Sequence, residues 1–276
     1  MFAVGKAAEA VGKAALAEDG QTKDVLLRIA EGTPEMTAAA RSMAARAAVR
    51  ERVKLKLYQP FARMLGVSMA YFEDTFPHEM GAKIADIPDE NLITPPASLA
   101  VPALQGLSYT FEEPDLKELY LNLLATASDS RQARLAHPAF ADIVKQLSPA
   151  EAKVLPFVLV VPTSVVRVVG ELDTSGISHV LISHLFGRHD LMATGKLEED
   201  QQEPMWVDNW RRLGLVSVRW GELQKGDLTY RYDWVQTHPE YVRLASLPSF
   251  TKVYFDKGQM ESTEFGYVFS RAVISR

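Results

Sequence analysis

His137-Pro138-x-Phe140 carries the most pointed chemical content of any run in this chain. An imidazole titrates near neutrality, so His137 could serve as a general base. Catalysis needs a constellation, however, and no carboxylate or hydroxyl nucleophile stands at a diagnostic spacing from it. A polar residue before proline also reads as the turn that starts a helix, with Phe140 as a core residue, and that is the expectation. His179, His184 and His189 raise a metal site. Their spacing of five steps around a helix rather than along one face, and the HExxH pattern is missing. A structural or surface role is expected for all three. Glu198, Glu199, Asp200 and Glu203 could hold a hard cation, but they sit among Gln and Lys ahead of Pro204 and read as a solvated loop. No GxxxxGK[ST], GxGxxG or GxSxG run occurs. The expectation is a protein that is not an enzyme, with no catalytic residue, no metal site and no cofactor.

A different chemistry lies nearer the start. Residues 37–63 hold Arg41, Arg46, Arg50, Arg52, Lys54, Lys56 and Arg63 against Glu51 alone, seven cations to one anion. The formal net charge of −5 conceals this local excess of six. Such a cluster can neutralise nucleic-acid phosphates or anionic lipid headgroups. Phe61, Met64, Leu65, Val67, Met69, Tyr71 and Phe72 follow it and supply side chains that a membrane-surface helix inserts. The same apolar residues can pack on the rest of the protein. On a helical wheel the seven cations do not share a face, which weakens the membrane reading. The seven remain the candidate anionic-surface contacts, with nucleic acid the least supported partner.

The elements that position these residues are mostly helices. Val4-Gly5-Lys6-Ala7-Ala8 recurs as Val11-Gly12-Lys13-Ala14-Ala15, a period of small residues suited to close helix packing and self-association. The Ala-rich stretch 36–49 is helical by propensity. Whether 53–58 continues as helix or strand stays open, because Val53, Leu55 and Leu57 alternate with charged residues ahead of Pro60. Residues 87–96 form a proline-ruled connector and a boundary. A helix is expected near 97–108. Leu116, Leu119, Tyr120, Leu123, Leu124 and Ala127 then fall on one helical face, opened by Pro114 and Asp115. Phe140, Ile143, Val144 and Leu147 mark a further helix. Ser148-Pro149-Ala150-Glu151 is a capping box for one running through Leu155.

The last third changes character. Trp206, Trp210 and Leu213 share a helix that Gly214 terminates. Leu215–Trp220 and Leu228–Trp234 read as the two strands of a hairpin. Val253–Phe255 reads as a short strand before an Asp-Lys-Gly turn, and 265–273 as a final amphipathic helix. Helices followed by a helix and hairpin fit a winged helix. Its charge is balanced, with Arg211, Arg212, Arg219, Lys225 and Arg231 set against Glu203, Asp208, Glu222, Asp227 and Asp233, unlike the basic footprint of a DNA reader.

Composition sets outer limits. The chain has 276 residues, 47% hydrophobic and 24% charged, enough for a sizeable core without staples. With no cysteine there is no disulfide, thiolate site or catalytic thiol. The best membrane-span candidate, Val154–Val161, is too short and is interrupted by proline. The start lacks the apolar region of a secretory signal, so a cytoplasmic location is expected.

Three runs resemble the bacterial abortive infection alpha (Abi-alpha) family. These are Ile87-Pro88-x-Glu90-x-Leu92-Ile93-x-Pro95-Pro96, Leu116-x-x-Leu119-x-x-x-Leu123-Leu124-Ala125, and His137-Pro138-x-Phe140 continued by Ile143, Gln146-Leu147-Ser148 and Glu151-Ala152. A looser echo follows at Trp210–Leu215 and Thr263–Phe269. The resemblance implies phage defence by abortive infection and brings no catalytic residues with it.

The expected fold is mainly α, with a helical arm over 1–80, a central helical domain over 81–150 and a winged-helix-like α+β domain over 151–276. The expected function is antiphage defence without catalysis. It would act through self-association of the N-terminal helices, through a phage or host protein, or at the inner membrane face. The alternative is a winged-helix nucleic-acid-binding regulator.

Overall fold

The computed structural model describes residues 71–172, 177–187, 202–221 and 232–274. The seven basic candidates Arg41 to Arg63, the N-terminal repeat and the 53–58 ambiguity lie outside them. After a short π-helical turn, Tyr71–Thr75, come α1 (Phe76–Lys83), α2 (Ala97–Thr110), α3 (Pro114–Ala127), α4 (Ala139–Lys145) and α5 (Pro149–Val160). Then follow β1 (Thr163–Glu171), β2 (Ser178–Phe186), α6 (Glu203–Arg212), β3 (Val216–Trp220), α7 (Pro239–Ala245), β4 (Lys252–Ser262) and α8 (Glu264–Val273). The chain is thus mainly helical, with an α+β C-terminal part.

The periodic stripe on α3 does what its spacing predicts. Leu116, Leu119, Tyr120, Leu123, Leu124 and Ala127 are all buried, and Pro114 opens the helix at its first turn. The capping box of α5 closes in both directions. Ser148 Oγ accepts from the Glu151 amide at 3.2 Å, and Glu151 Oε2 accepts from the Ser148 amide at 2.8 Å. That helix runs past the expected end at Leu155, through Pro156, to Val160. The proline removes one backbone donor, but Val158 and Leu159 bury beyond it and keep the last turn on the core. The connector 87–96 is tied to the end of α3, where the Ile93 amide donates to the Ser128 carbonyl at 2.9 Å and the Ser130 amide to the Asn91 carbonyl at 2.8 Å.

The sheet is antiparallel with strand order β2-β1-β4-β3. Side chains alternate between its faces. Val165, Phe186, Val216 and Met260 join the main core, which also takes in buried residues from every helix of the first half and from α6 and α8. Val166, Val168 and Leu185 point to the opposite face, into a smaller core covered by Tyr232, Trp234, Val235 and Leu244. The strand pairing corrects three expectations. Among the described residues β3 pairs with β4, and most of the expected second hairpin strand, 228–231, lies outside them. The end of that segment is not strand, since Asp233–Thr237 forms a 3₁₀ turn. Burial explains the change, since Tyr232 and Trp234 fill the second core and donate to the Gly258 carbonyl (2.9 Å) and Ser164 Oγ (3.0 Å). The Asp256-Lys257-Gly258 turn is absent too, because these residues continue β4. Gly258 is needed there for space, since a Cβ on it would stand 2.6 Å from the Trp220 ring. Finally, His179 and His184 lie on strand β2, not on a helix.

Candidate functional site

Among the described residues, a surface groove and a buried histidine cluster are the two candidate places. The first is an open groove of about 410 Å³ between the end of α5, the end of β4 and the start of α8. Val160 (69% exposed), Val161 (52%) and Tyr267 (52%) form its apolar surface, and Phe157 (40%) is exposed one turn before Val160 on α5. Glu261 and Glu264 line the same groove. Glu261 accepts from Arg219 Nη2 at 2.7 Å, whereas Glu264 is exposed.

This wall is held rigidly. Thr263 Oγ1 accepts from the Gly266 amide at 2.9 Å, capping α8, and donates to the Gly214 carbonyl at 2.5 Å. Gly266 presses against the Leu215 carbonyl so closely that a Cβ would stand 1.9 Å from the oxygen.

The second place is a histidine cluster under α6. A bulge in β2 sets Ser183 and His184 opposite Arg167 of β1, between the Val166–Leu185 and Val168–Ile182 pairs. His184 is 4% exposed. Its Nε2 faces Arg211 Nη1 of α6 at 3.3 Å, and Asp208 Oδ1 stands 3.0 Å from its Nδ1, off the axis of an aligned hydrogen bond. The ring lies 5.8 Å from the Trp220 ring, although β2 and β3 are opposite edges of the sheet, because the sheet curls. Arg167 stacks on Trp220 at 4.4 Å and approaches Asp256 at 4.0 Å. Burial pushes the His184 imidazole below its ordinary value. Asp208 opposes that shift, and Arg211 and Arg167 add to it.

The remaining sequence candidates separate cleanly. His137 starts a helix as expected, its Nδ1 accepting from the Ala139 amide at 3.2 Å while its ring packs near Phe140 and Phe265. His179 is exposed on β2, and His189 lies outside the described residues, as do Glu198, Glu199 and Asp200. Glu203 corrects the solvated-loop reading, being buried at the first position of α6, where the helix dipole favours a carboxylate. Trp206 and Trp210 are core, as their spacing suggests. Arg211 is taken up by His184, and Arg212 donates to Gln146 Oε1 at 2.9 Å and Asn209 Oδ1 at 2.7 Å. Among the described residues no group of three or more His, Asp or Glu is placed to hold a metal, and no helix is long and apolar enough to cross a membrane.

Sequence reasoning missed the groove. The available signal was Tyr267, an aromatic that falls off the apolar stripe of Phe265, Val268, Phe269, Ala272 and Val273.

The profile of the abortive infection alpha family matches residues 68–273, a span that contains the groove and the histidine cluster. The chain belongs to the abortive infection alpha family, and membership associates it with phage defence by abortive infection. Comparison with curated proteins and with solved structures gives no match.

Proposed function

We propose that this protein defends a bacterial cell against phage by binding a protein partner through the α5–α8 groove, without catalysing a reaction. The observation that carries the reading is the grouping of the exposed Val160, Val161 and Tyr267 around one groove. The exposed Glu264 carboxylate beside it favours a partner segment that is apolar with a basic side chain. The basic residues Arg41 to Arg63 would add contact with an anionic surface, and the N-terminal repeat would add self-association.

The test is phage plating on cells carrying the protein. Tyr267→Ala should lower protection at least tenfold, while His137→Ala, which removes the most quotable candidate base, should leave it unchanged. Full protection by Tyr267→Ala would overturn the groove reading, and loss with His137→Ala at normal protein levels would favour an enzyme.

Nucleic-acid binding by a winged helix is the second reading. Its support is the exposed pair Arg211 and Arg212 on α6, immediately before β3. Both guanidinium groups are already engaged by neighbouring side chains, so duplex DNA would have to displace those contacts. Salt-sensitive duplex binding lost in an Arg211→Ala, Arg212→Ala double variant would support it.

A further inference from the structure

We propose that the α5–α8 groove is covered, within the same molecule, by the chain's own basic segment 41–63. The inference rests on the reading of that groove as a docking surface and adds its occupant.

The groove sets two requirements. Val160 and Val161, exposed at the end of α5, need apolar side chains against them. Glu264 and Tyr267 stand three residues apart on α8, so they share a face of that helix, and both line the groove. A carboxylate beside an exposed aromatic ring is a seat for a cation, by its charge and by the face of the ring. The second carboxylate, Glu261, is held by Arg219. That arginine is itself exposed, so water or another cation replaces it at little cost. An occupant therefore needs apolar residues with Lys or Arg directly beside them.

A second copy of the groove does not meet this need, because face-to-face contact sets Glu261 and Glu264 against their own copies. Segment 41–63 does. It carries seven cations against Glu51 alone. In Arg52-Val53-Lys54-Leu55-Lys56-Leu57 every apolar residue has a cation next to it. No other run of six residues in the chain joins three cations to three aliphatic side chains.

The tether is long enough. Leu55 precedes Tyr71, where the described structure starts, by 16 residues. A connection of that length extends to roughly 55 Å. A folded unit of about 200 residues is on the order of 40 Å across. The segment thus reaches any face of its own molecule, at an effective concentration on the order of millimolar. Contacts too weak to hold a separate peptide suffice at that concentration. The cations seated in the groove are withdrawn from any anionic surface. A partner that takes the groove displaces the segment and frees its charge, so the two contacts exclude each other in one molecule.

The chain contains no cysteine, so a pair of cysteines placed in it reports the contact without background. Val160→Cys is combined in turn with Val53→Cys, Leu55→Cys and Leu57→Cys in the full chain, under mild oxidation at low salt. The control position is Val242→Cys, also exposed, on the helix α7 that covers the other side of the sheet. At least one of the three should form an intramolecular disulfide with position 160 tenfold faster than with position 242, at a rate independent of protein concentration. Glu264→Lys alters only an exposed side chain and should slow that reaction at least fivefold. Equal rates to positions 160 and 242 at all three places would overturn the proposal, as would a rate unchanged by Glu264→Lys. Disulfides found only between molecules would overturn it too. Phage plating with Tyr267→Ala separates this failure from failure of the groove itself. Equal disulfide rates with protection lost in Tyr267→Ala refute the basic segment and leave a separate partner in the groove. Equal rates with protection intact refute both.

Discussion

Asn122, in the middle of α3, donates from Nδ2 to the carbonyl of Val273 at the end of α8, 3.0 Å away and 151 residues further along the chain. Thr126, one turn on, donates in the same way to the Ala272 carbonyl at 2.9 Å. The last carbonyls of a helix have no partner within it. Here two buried polar side chains of α3 each supply one, to Val273 and to Ala272. The contact fixes the far end of α8, and so the face from which Tyr267 projects.

Thr126→Val keeps the shape and removes the donor, leaving a buried carbonyl unpaired. We expect a loss of about 1–3 kcal/mol in unfolding free energy. Urea unfolding checks it, with the midpoint shifted and the slope unchanged. Stability equal to the wild type would mean that α8 is held by apolar packing alone.

Gly266→Ala is expected to be more damaging, because its Cβ would meet a backbone oxygen and not the end of a flexible side chain. The cost is about 3 kcal/mol, at the upper end of ordinary overpacking. A melt on purified protein would show it, accompanied by loss of the Thr263 hydroxyl contact with the Gly214 carbonyl. A variant as stable as the wild type would contradict the close approach of α8 to Leu215.

Global stability should depend on pH through His184. Its folded value is depressed, chiefly by burial, so below its ordinary value of about 6.5 the unfolded chain binds a proton that the native state resists. Stability is full above that value and is lost as pH falls toward the depressed folded value. Urea midpoints for wild type and His184→Gln should converge as pH is lowered from 7.5 to 5.5. Parallel midpoints would show that the site does not carry the dependence.

Periodicity carried much of the fold. Leu116 to Ala127, the Ser148–Glu151 box and the Phe265–Val273 stripe are local patterns, and local patterns dictate helices. Pairing was less legible, since β3 pairs with the distant β4, Trp220 opposite Gly258 and Val216 opposite Ser262. Tyr232 and Trp234 alternate like a strand, yet they are spent on a second core that sequence spacing does not reveal. The run Val165-Val166-Arg167-Val168-Val169 is a readable β-branched strand signal for β1, independent of any site residue. The sites were harder still. His184 is surrounded by Asp208, Arg211, Arg167 and Trp220, which come together across a curled sheet with a bulge in β2. Val160 and Val161 look like the end of a core helix until their exposure is known.

The central claim is that the open α5–α8 surface carries protection. Val160→Lys tests it most directly, because the side chain is 69% exposed and a lysine there costs the fold almost nothing. Efficiency of phage plating should rise at least tenfold toward that of unprotected cells, with the melting temperature and protein level equal to the wild type. Undiminished protection by Val160→Lys would contradict the account.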